Sequence, residues 1–297
     1  MHGVVVALGT FDGVHLGHRA VLGRAVEEGH TNRVPVVAAT FSPHPRAVLR
    51  PGSEPKLLTT PDVRRKLLFE YGVDEVCEIP FDEALSRKSP EAFVRDVLVG
   101  KLGAAVVVVG ENFRFGYRAS GGVEELRCFM REAGGEAYPV PVYAALGKGV
   151  SSTRIRDLLL RGEVREAAWL LGRPYLLRGE VVAGDGRGRL LGFPTANIVP
   201  EACALVPGRG VYAGYVRVGE ERYEACTNIG VAPTFDRQES KVETHILGFD
   251  RDLYGEVVSV TFVERLRPER RFAGAEELKQ QVARDVAEVG RIVGGGA

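Results

Sequence analysis

Over residues 1–173 short apolar runs alternate with segments of helical period. Runs at Val4–Leu8, Val34–Phe41, Val76–Ile79, Ala104–Val109 and Tyr138–Val142 predict strands. Between them, Asp62–Tyr71 sets Val63, Leu67 and Tyr71 four residues apart, and Pro90–Leu102 and Val123–Ala133 also read as helices. Every position of Ala104–Val109 is apolar, the pattern of a strand buried on both faces in a parallel sheet. Strands alternating with helices in this way predict a doubly wound α/β domain, with its site at the carboxyl ends of the strands. Two short helices, Thr153–Leu160 and Val164–Leu171, are expected to close it.

After Gly172-Arg-Pro174 the pattern changes. Leu177–Val182, Val211–Val218, Tyr223–Asn228, Glu243–Phe249 and Val257–Val263 read as strands, separated by Gly, Pro and charged turns with no helix between them. That spacing predicts an antiparallel barrel or sandwich. A last amphipathic helix carries Leu278, Val282, Val286 and Val289 on one side and runs into a glycine tail, Gly294-Gly-Gly296. The expected division is an α/β domain over 1–173 and a β domain over 174–297.

Composition adds exclusions. With 297 residues, 45% hydrophobic and 26% charged, the chain has material for two buried cores and is not a disordered protein. Lys+Arg and Asp+Glu balance at 39 each, which argues against a broadly basic nucleic-acid binder while allowing a local anion site. No run approaches the ~20 apolar residues needed to cross a bilayer. The start, Met1-His-Gly-Val-Val, lacks a basic leader. Cys77, Cys128, Cys203 and Cys226 are far apart and form no CxxC pair, so they read as small buried hydrophobes in a reducing cytoplasm. The expected location is cytoplasmic, without a membrane or nucleic-acid partner; oligomeric state is not readable.

The chemistry begins at Gly9-Thr-Phe-Asp-Gly-Val-His-Leu-Gly-His18, which follows the first strand and opens a helix. A glycine-rich turn admits close approach to backbone, and a helix N-terminus offers unpaired amides and a partial positive charge. His15 and His18 share a face of the first turn, where two imidazoles can hold phosphates and offset charge developing in phosphoryl or nucleotidyl transfer. No third ligand stands at zinc-site spacing, and no GxxxxGK is present. Later, in Val150-Ser-Ser-Thr-Arg-Ile-Arg156, Ser151 or Ser152 can cap a helix and Arg154 and Arg156 can meet phosphates.

The first segment resembles the HxGH signature of the nucleotidyltransferase superfamily, and the second resembles its ISSTxIR motif. Thr40-Phe-Ser-Pro-His-Pro45 and Gly110-Glu-Asn-Phe-Arg-Phe-Gly116 are similar to segments of the FMN adenylyltransferase module of bacterial bifunctional riboflavin kinase/FAD synthetases. The resemblance implies His15 and His18 as catalytic groups and Gly9, Phe11, Asp12, Gly17, Ser152, Thr153 and Arg156 around nucleotide and phosphate. It further implies Asn112, Phe113 and Phe115 near flavin, although Phe-x-Phe after a strand is also ordinary packing. Many members carry Asp at the position of Asn112, so a polar contact rather than a charge is expected there.

In the second domain, Gly184-Asp-Gly-Arg-Gly-Arg-Leu-Leu-Gly-Phe-Pro-Thr-Ala-Asn197 places glycines at 184, 186, 188 and 192 in a loop able to wrap phosphates. Thr195 and Asn197, two apart on an extended segment, point to the same side and offer oxygens to a Mg²⁺ that keeps waters and nucleotide phosphates. The phrase resembles the LGFPTAN signature of riboflavin kinases. Gly210-Val-Tyr-Ala213, Asn228-Ile-Gly-Val-Ala-Pro-Thr-Phe235, Glu243-Thr-His-Ile-Leu247 and Asp252-Leu-Tyr-Gly255 follow in that family's order. By this resemblance Glu243 is the catalytic base, and His245 lies on the same face. Ala183 stands where many members carry His, and Ala232 where some carry Arg. The resemblance implies two activities: ATP·Mg²⁺ phosphorylation of riboflavin to FMN in the C-terminal domain, and adenylylation of FMN by ATP to FAD and pyrophosphate in the N-terminal one. The alternative is a riboflavin kinase whose nucleotidyltransferase domain is weak or acts on another substrate.

Overall fold

The computed structural model describes residues 3–294 apart from 146, 185, 187, 189–191 and 234–237. The chain divides into two compact units, Met1–Ser152 and Thr153–Ala297. In the first, five strands form one sheet: β1 (Val4–Leu8), β2 (Val36–Ser42), β3 (Glu75–Pro80), β4 (Ala104–Gly110) and β5 (Glu136–Val140). All pairs are parallel and the order is β3-β2-β1-β4-β5, the doubly wound arrangement expected. Alternate residues of one strand serve opposite layers. Val5, Ala7, Val106 and Val108 pack with Leu22 and Ala25 of α1 (Leu16–Asn32) and Leu67 and Leu68 of α3 (Pro61–Glu70). Val6, Leu8, Val107 and Val109 pack with Phe93, Leu98, Leu126 and Met130 on the other face.

The helices differ from expectation where periodicity is short. α1 ends when Arg33 turns left-handed (φ 55°), which moves the start of β2 past Pro35 to Val36. One-turn helices α2 (Pro45–Leu49) and α4 (Glu83–Ser86) begin at His44 and Asp82, whose side chains accept backbone N–H groups. The segment expected as one helix from Pro90 is a single turn, α5 (Pro90–Phe93), widening into a π-helical stretch (Val94–Val99) that buries Val94, Val97 and Leu98. α6 (Val123–Glu132) precedes β5, and a two-stranded hairpin, β6 (Ala144–Ala145) and β7 (Lys148–Gly149), leads to α7 (Ser152–Leu160).

In the second unit, α8 (Val164–Leu171) packs on β8 (Tyr175–Val182) and β13 (Val257–Arg267). β9 (Ala196–Pro200), β10 (Gly210–Val218), β11 (Glu221–Pro233) and β12 (Gln238–Ile246) complete a closed antiparallel barrel, ordered β10-β11-β12-β9-β8-β13. This decides barrel over sandwich. The β10–β11 hairpin turns on Gly219 (φ 58°) and Glu220, and β12 ends ahead of Gly248 (φ 68°), earlier than the apolar run suggested. The interior is filled by side chains: Tyr212, Val216, Ile229, Thr244, Val260 and Phe262 are fully buried, and Thr227 meets Thr244 hydroxyl to hydroxyl at 3.1 Å.

α9 (Ala275–Val293) covers the outside of the barrel, packing Val289 and Val293 on Val211, Ala213 and Cys226. Asp285 of α9 receives the Arg267 guanidinium through Nε and Nη2, the latter at 2.8 Å, and also accepts from Gln281. Burial, with Asp285 adding to it, pushes the Cys226 thiol up to about 12 and so keeps it protonated. Cys226 is buried as expected and Cys77 half-buried, but Cys128 and Cys203 are exposed, on the outer side of α6 and in the loop after β9. Among the described residues no helix is long and apolar enough to cross a membrane.

The Arg267–Asp285 pair is nearly dehydrated, with side chains 17% and 5% exposed, so removing one partner strands the other charge. Asp285→Ala is expected to destabilise the second unit by about 3 kcal/mol in urea unfolding. The double change with Arg267→Ala should cost clearly less than the two single changes added.

Candidate active sites in the two units

β1 ends where the strand order departs in opposite directions toward β2 and β4, the place where doubly wound sheets open a crevice. Residues 9–15 turn there into α1. Phe11 (φ 49°) and Val14 (φ 39°) occupy the left-handed region, which costs non-glycine residues free energy, while Gly13 (φ 88°) does so freely. Both side chains are fully buried. Asp12, 1% exposed, holds the turn: its Oδ1 accepts from the amides of Leu58 (2.9 Å) and Thr59 (3.1 Å). Gly13 N–H donates to Thr59 Oγ1, and the Ser152 hydroxyl donates to the Asp12 carbonyl at 2.9 Å. Thr40 Oγ1 and Arg64 both donate to the Thr10 carbonyl.

His15 caps α1, its Nδ1 accepting from the amide of His18. An accepting Nδ1 leaves Nε2 to carry the proton of the neutral ring, a donor at the helix N-terminus. The rings of His15 and His18 stack at 3.6 Å, and Phe11 meets His18 edge-on. Gly17 keeps the space beside the His15 ring open, since a Cβ there would stand a tight 3.2 Å from it. The first turn of α1 carries no acidic residue of its own to offset its positive end.

Gly9, Phe11, Asp12, His15, Gly17, His18 and Ser152 therefore meet in one turn. Asp12 faces backbone amides rather than open space, and Ser152 is engaged with the turn. Thr153 and Arg156 follow on α7, exposed and half-buried respectively, and are counted with the second unit. Beyond β4, Asn112 is exposed and folds toward Gly110, Phe113 is half-buried, and the two rings of Phe113 and Phe115 stack at 5.6 Å. Phe115 is 6% exposed and packs on Phe93, so its ring lies in the core beneath Phe113.

The barrel's register builds the second site. Glu243 pairs with Asn228 of β11 on one side and Asn197 of β9 on the other, so the three share one face. Cys226, under α9, lies two residues from Asn228, which makes this the outer face. Asn197 Oδ1 is buried and makes no hydrogen bond among the described residues. A Cβ on Gly184 would fall 1.9 Å from Asn197 Nδ2, and one on Gly188 would fall 2.4 Å from the Phe193 carbonyl and 3.2 Å from Thr195 Oγ1. Gly186 (φ 67°) and Gly192 (φ 84°) are left-handed. His245 Nδ1 lies 2.7 Å from the Pro194 carbonyl and its ring meets Phe193, fixing the approach to Thr195. Lys241 Nζ stands 3.0 Å from Glu243 Oε1. The loop residues 185, 187 and 189–191, Thr234, Phe235 and the side chain of Ala232 lie outside the described residues.

Residues 1–154 match the family model for FAD synthetase, and residues 171–293 match that for riboflavin kinase. The chain belongs to the bifunctional riboflavin kinase/FMN adenylyltransferase family. Proteins of that description from Escherichia coli K12 and Bacillus subtilis are 37% and 35% identical over 95% and 96% of this chain and 90% of their own lengths. A solved Streptococcus pneumoniae chain described as a macrolide-efflux protein is 33% identical with TM-score 0.90, covering 96% of this chain and 93% of that one. Lys241, which contacts Glu243, and Leu58 and Thr59, whose amides donate to Asp12, lie outside the motifs. The outward period of β12 alone pointed to Lys241; nothing local pointed to residues 58–59.

Asp12→Ala removes the acceptor for two buried amides. The first unit is expected to lose about 2 kcal/mol in thermal or urea unfolding, and FMN-to-FAD conversion should fall while riboflavin phosphorylation is unchanged.

Proposed function

We propose that the barrel transfers the γ-phosphoryl group of ATP to riboflavin and that the α/β unit joins the resulting FMN to AMP from a second ATP. The observation that carries this is the pairing of two donor sets, each in its own unit. One is a histidine pair at a helix N-terminus; the other is a carboxylate flanked by two asparagines. In the first reaction Glu243 accepts the proton of the riboflavin 5′-hydroxyl as that oxygen bonds to the γ-phosphorus and ADP leaves. Asn197 and Thr195 are proposed to hold Mg²⁺. A buried oxygen lacking a hydrogen bond among the described residues, beside a hydroxyl two positions away, suits a hard cation that keeps waters and phosphate ligands. When bound, such a cation would offset negative charge on the ATP phosphates. Gly184 and Gly188 leave room against Asn197 and Thr195, and the flanking glycines 186 and 192 are read as phosphate wrap.

In the second reaction a phosphate oxygen of FMN attacks the α-phosphorus of ATP, and pyrophosphate leaves. His15 and His18 donate to phosphate oxygens as their charge shifts, with the amides opening α1 beside them. Gly9, Phe11 and Gly17 shape the turn, Asp12 positions it, and Ser152, Thr153 and Arg156 are assigned to the nucleotide phosphates. Asn112 and Phe113 are assigned to flavin, with Phe115 as backing. We place both reactions in the cytoplasm with small-molecule partners only, taking the domain boundary at 173/174.

Incubation with riboflavin, ATP and Mg²⁺, resolved by chromatography, is expected to yield FMN and then FAD. FMN without FAD would reject the second activity. Glu243→Gln should abolish FMN formation and leave FMN-to-FAD conversion intact, and His18→Ala should do the reverse. Loss of both activities in either variant would rule out separate sites.

A further inference from the structure

Glu243 and Lys241 are two residues apart on β12 and point to the same outer face. Lys241 Nζ lies 3.0 Å from Glu243 Oε1, and both side chains are about two-thirds buried, at 28% and 30% exposure. The lysine contact is to Oε1, one of the two oxygens of the carboxylate. In register Lys241 faces Gly230, and the space a side chain at Gly230 would need is taken by the Glu269 carboxylate, whose Oε1 is 2.5 Å from that Cβ position. The cation therefore works within a face that also carries Asn228, Asn197 and Glu269.

A carboxylate base has two equivalent oxygens on a rotatable bond, and proton transfer needs one of them aimed at the hydroxyl throughout the approach. With close to a third of each side chain still in water, this ion pair is screened and contributes modestly to stability, so stability alone does not account for a lysine here. We propose that Lys241 is a positioning residue for phosphoryl transfer: it holds Glu243 by Oε1 and presents Oε2 to the riboflavin hydroxyl. The proposal rests on Glu243 being the base. Lys241 acts through Glu243, and its loss should appear in the rate of the bound complex rather than in substrate affinity.

The test uses the full chain, with FMN formation measured as separate kcat and KM values and FAD formation from supplied FMN measured on the same preparation. For Lys241→Met, and for Lys241→Gln as a second neutral replacement, kcat for FMN formation is expected to fall about tenfold, with KM for riboflavin and ATP changed by less than about twofold. FAD formation should be unchanged, and Lys241→Arg should recover most of the lost rate. An unchanged kcat in both neutral variants would overturn the proposal. So would a raised KM for ATP at constant kcat, which would assign Lys241 to the nucleotide. Glu243→Gln is assayed alongside; if it keeps its kcat, the base assignment fails independently of the Lys241 result.

Discussion

The turn between β1 and α1 keeps its shape because one buried carboxylate, that of Asp12, is tied to two amides far along the chain. Phe11 and Val14 sit in backbone conformations that cost about 1–3 kcal/mol each. Hydrogen bonds from Leu58 and Thr59 to a charged acceptor contribute about 1.5–3 kcal/mol each, enough to offset that strain. What the strain achieves is local. It aims the chain so that His15 caps the helix and His18 stacks on it, at a first turn that carries no acidic residue. Without the tie the same residues would relax toward ordinary turns, and the histidines would lose their common orientation.

The barrel solves positioning by another route, register instead of strain. Because side chains alternate with a period of two, a one-residue slip in register flips every residue of a strand to the other face. The inner set is pinned by Tyr212, Thr227 and Thr244, which are opposite one another across β10, β11 and β12. Once those are inside, Val211, Asn228, Glu243 and Asn197 are necessarily in line on the outside. Arg267 stands opposite Val211 in the same line and binds Asp285 of α9, so the helix is anchored at the end of the row that carries the polar groups.

Much of this was legible because both units obey short-range rules. Uninterrupted valines at 106–109 marked a central strand, and alternation marked the barrel strands. Glycines at the motif positions marked places of close approach, tight at Gly17 and closed to any side chain at Gly184. What escaped notice depended on distance or brevity. The anchor of Asp12 lies 46 and 47 residues away, beyond any periodic pattern. β9 begins at the close of a glycine-rich loop, so only the Thr195-Ala-Asn197 step leading into it read as extended. α2 and α4 are too short to show a period. Phe115 and Phe113 look equivalent in sequence, and only packing against Phe93 separates the buried ring from the half-buried one. Cysteine burial is likewise a matter of face: Cys128 lies on the outward side of α6, which residue type alone does not encode.

A closed barrel of this size leaves a ligand no interior. Eight strands give an interior just wide enough for side chains, and this barrel has fewer, its centre occupied by Tyr212 and Phe262 in edge-to-face contact. Polar chemistry must then lie on the outer surface, where a carboxylate would be loosely oriented by solvent unless neighbours restrain it. The row built from Asn228, Glu243 and Asn197 supplies neighbours on both sides, Lys241 supplies one along the strand, and α9 closes part of the face to water. The α/β unit has the converse geometry, a strand order that diverges at the end of β1, where such sheets place their sites, and it needs strain only to aim its groups. Two phosphate chemistries thus call for different devices, and each unit carries the one that its architecture lacks by default.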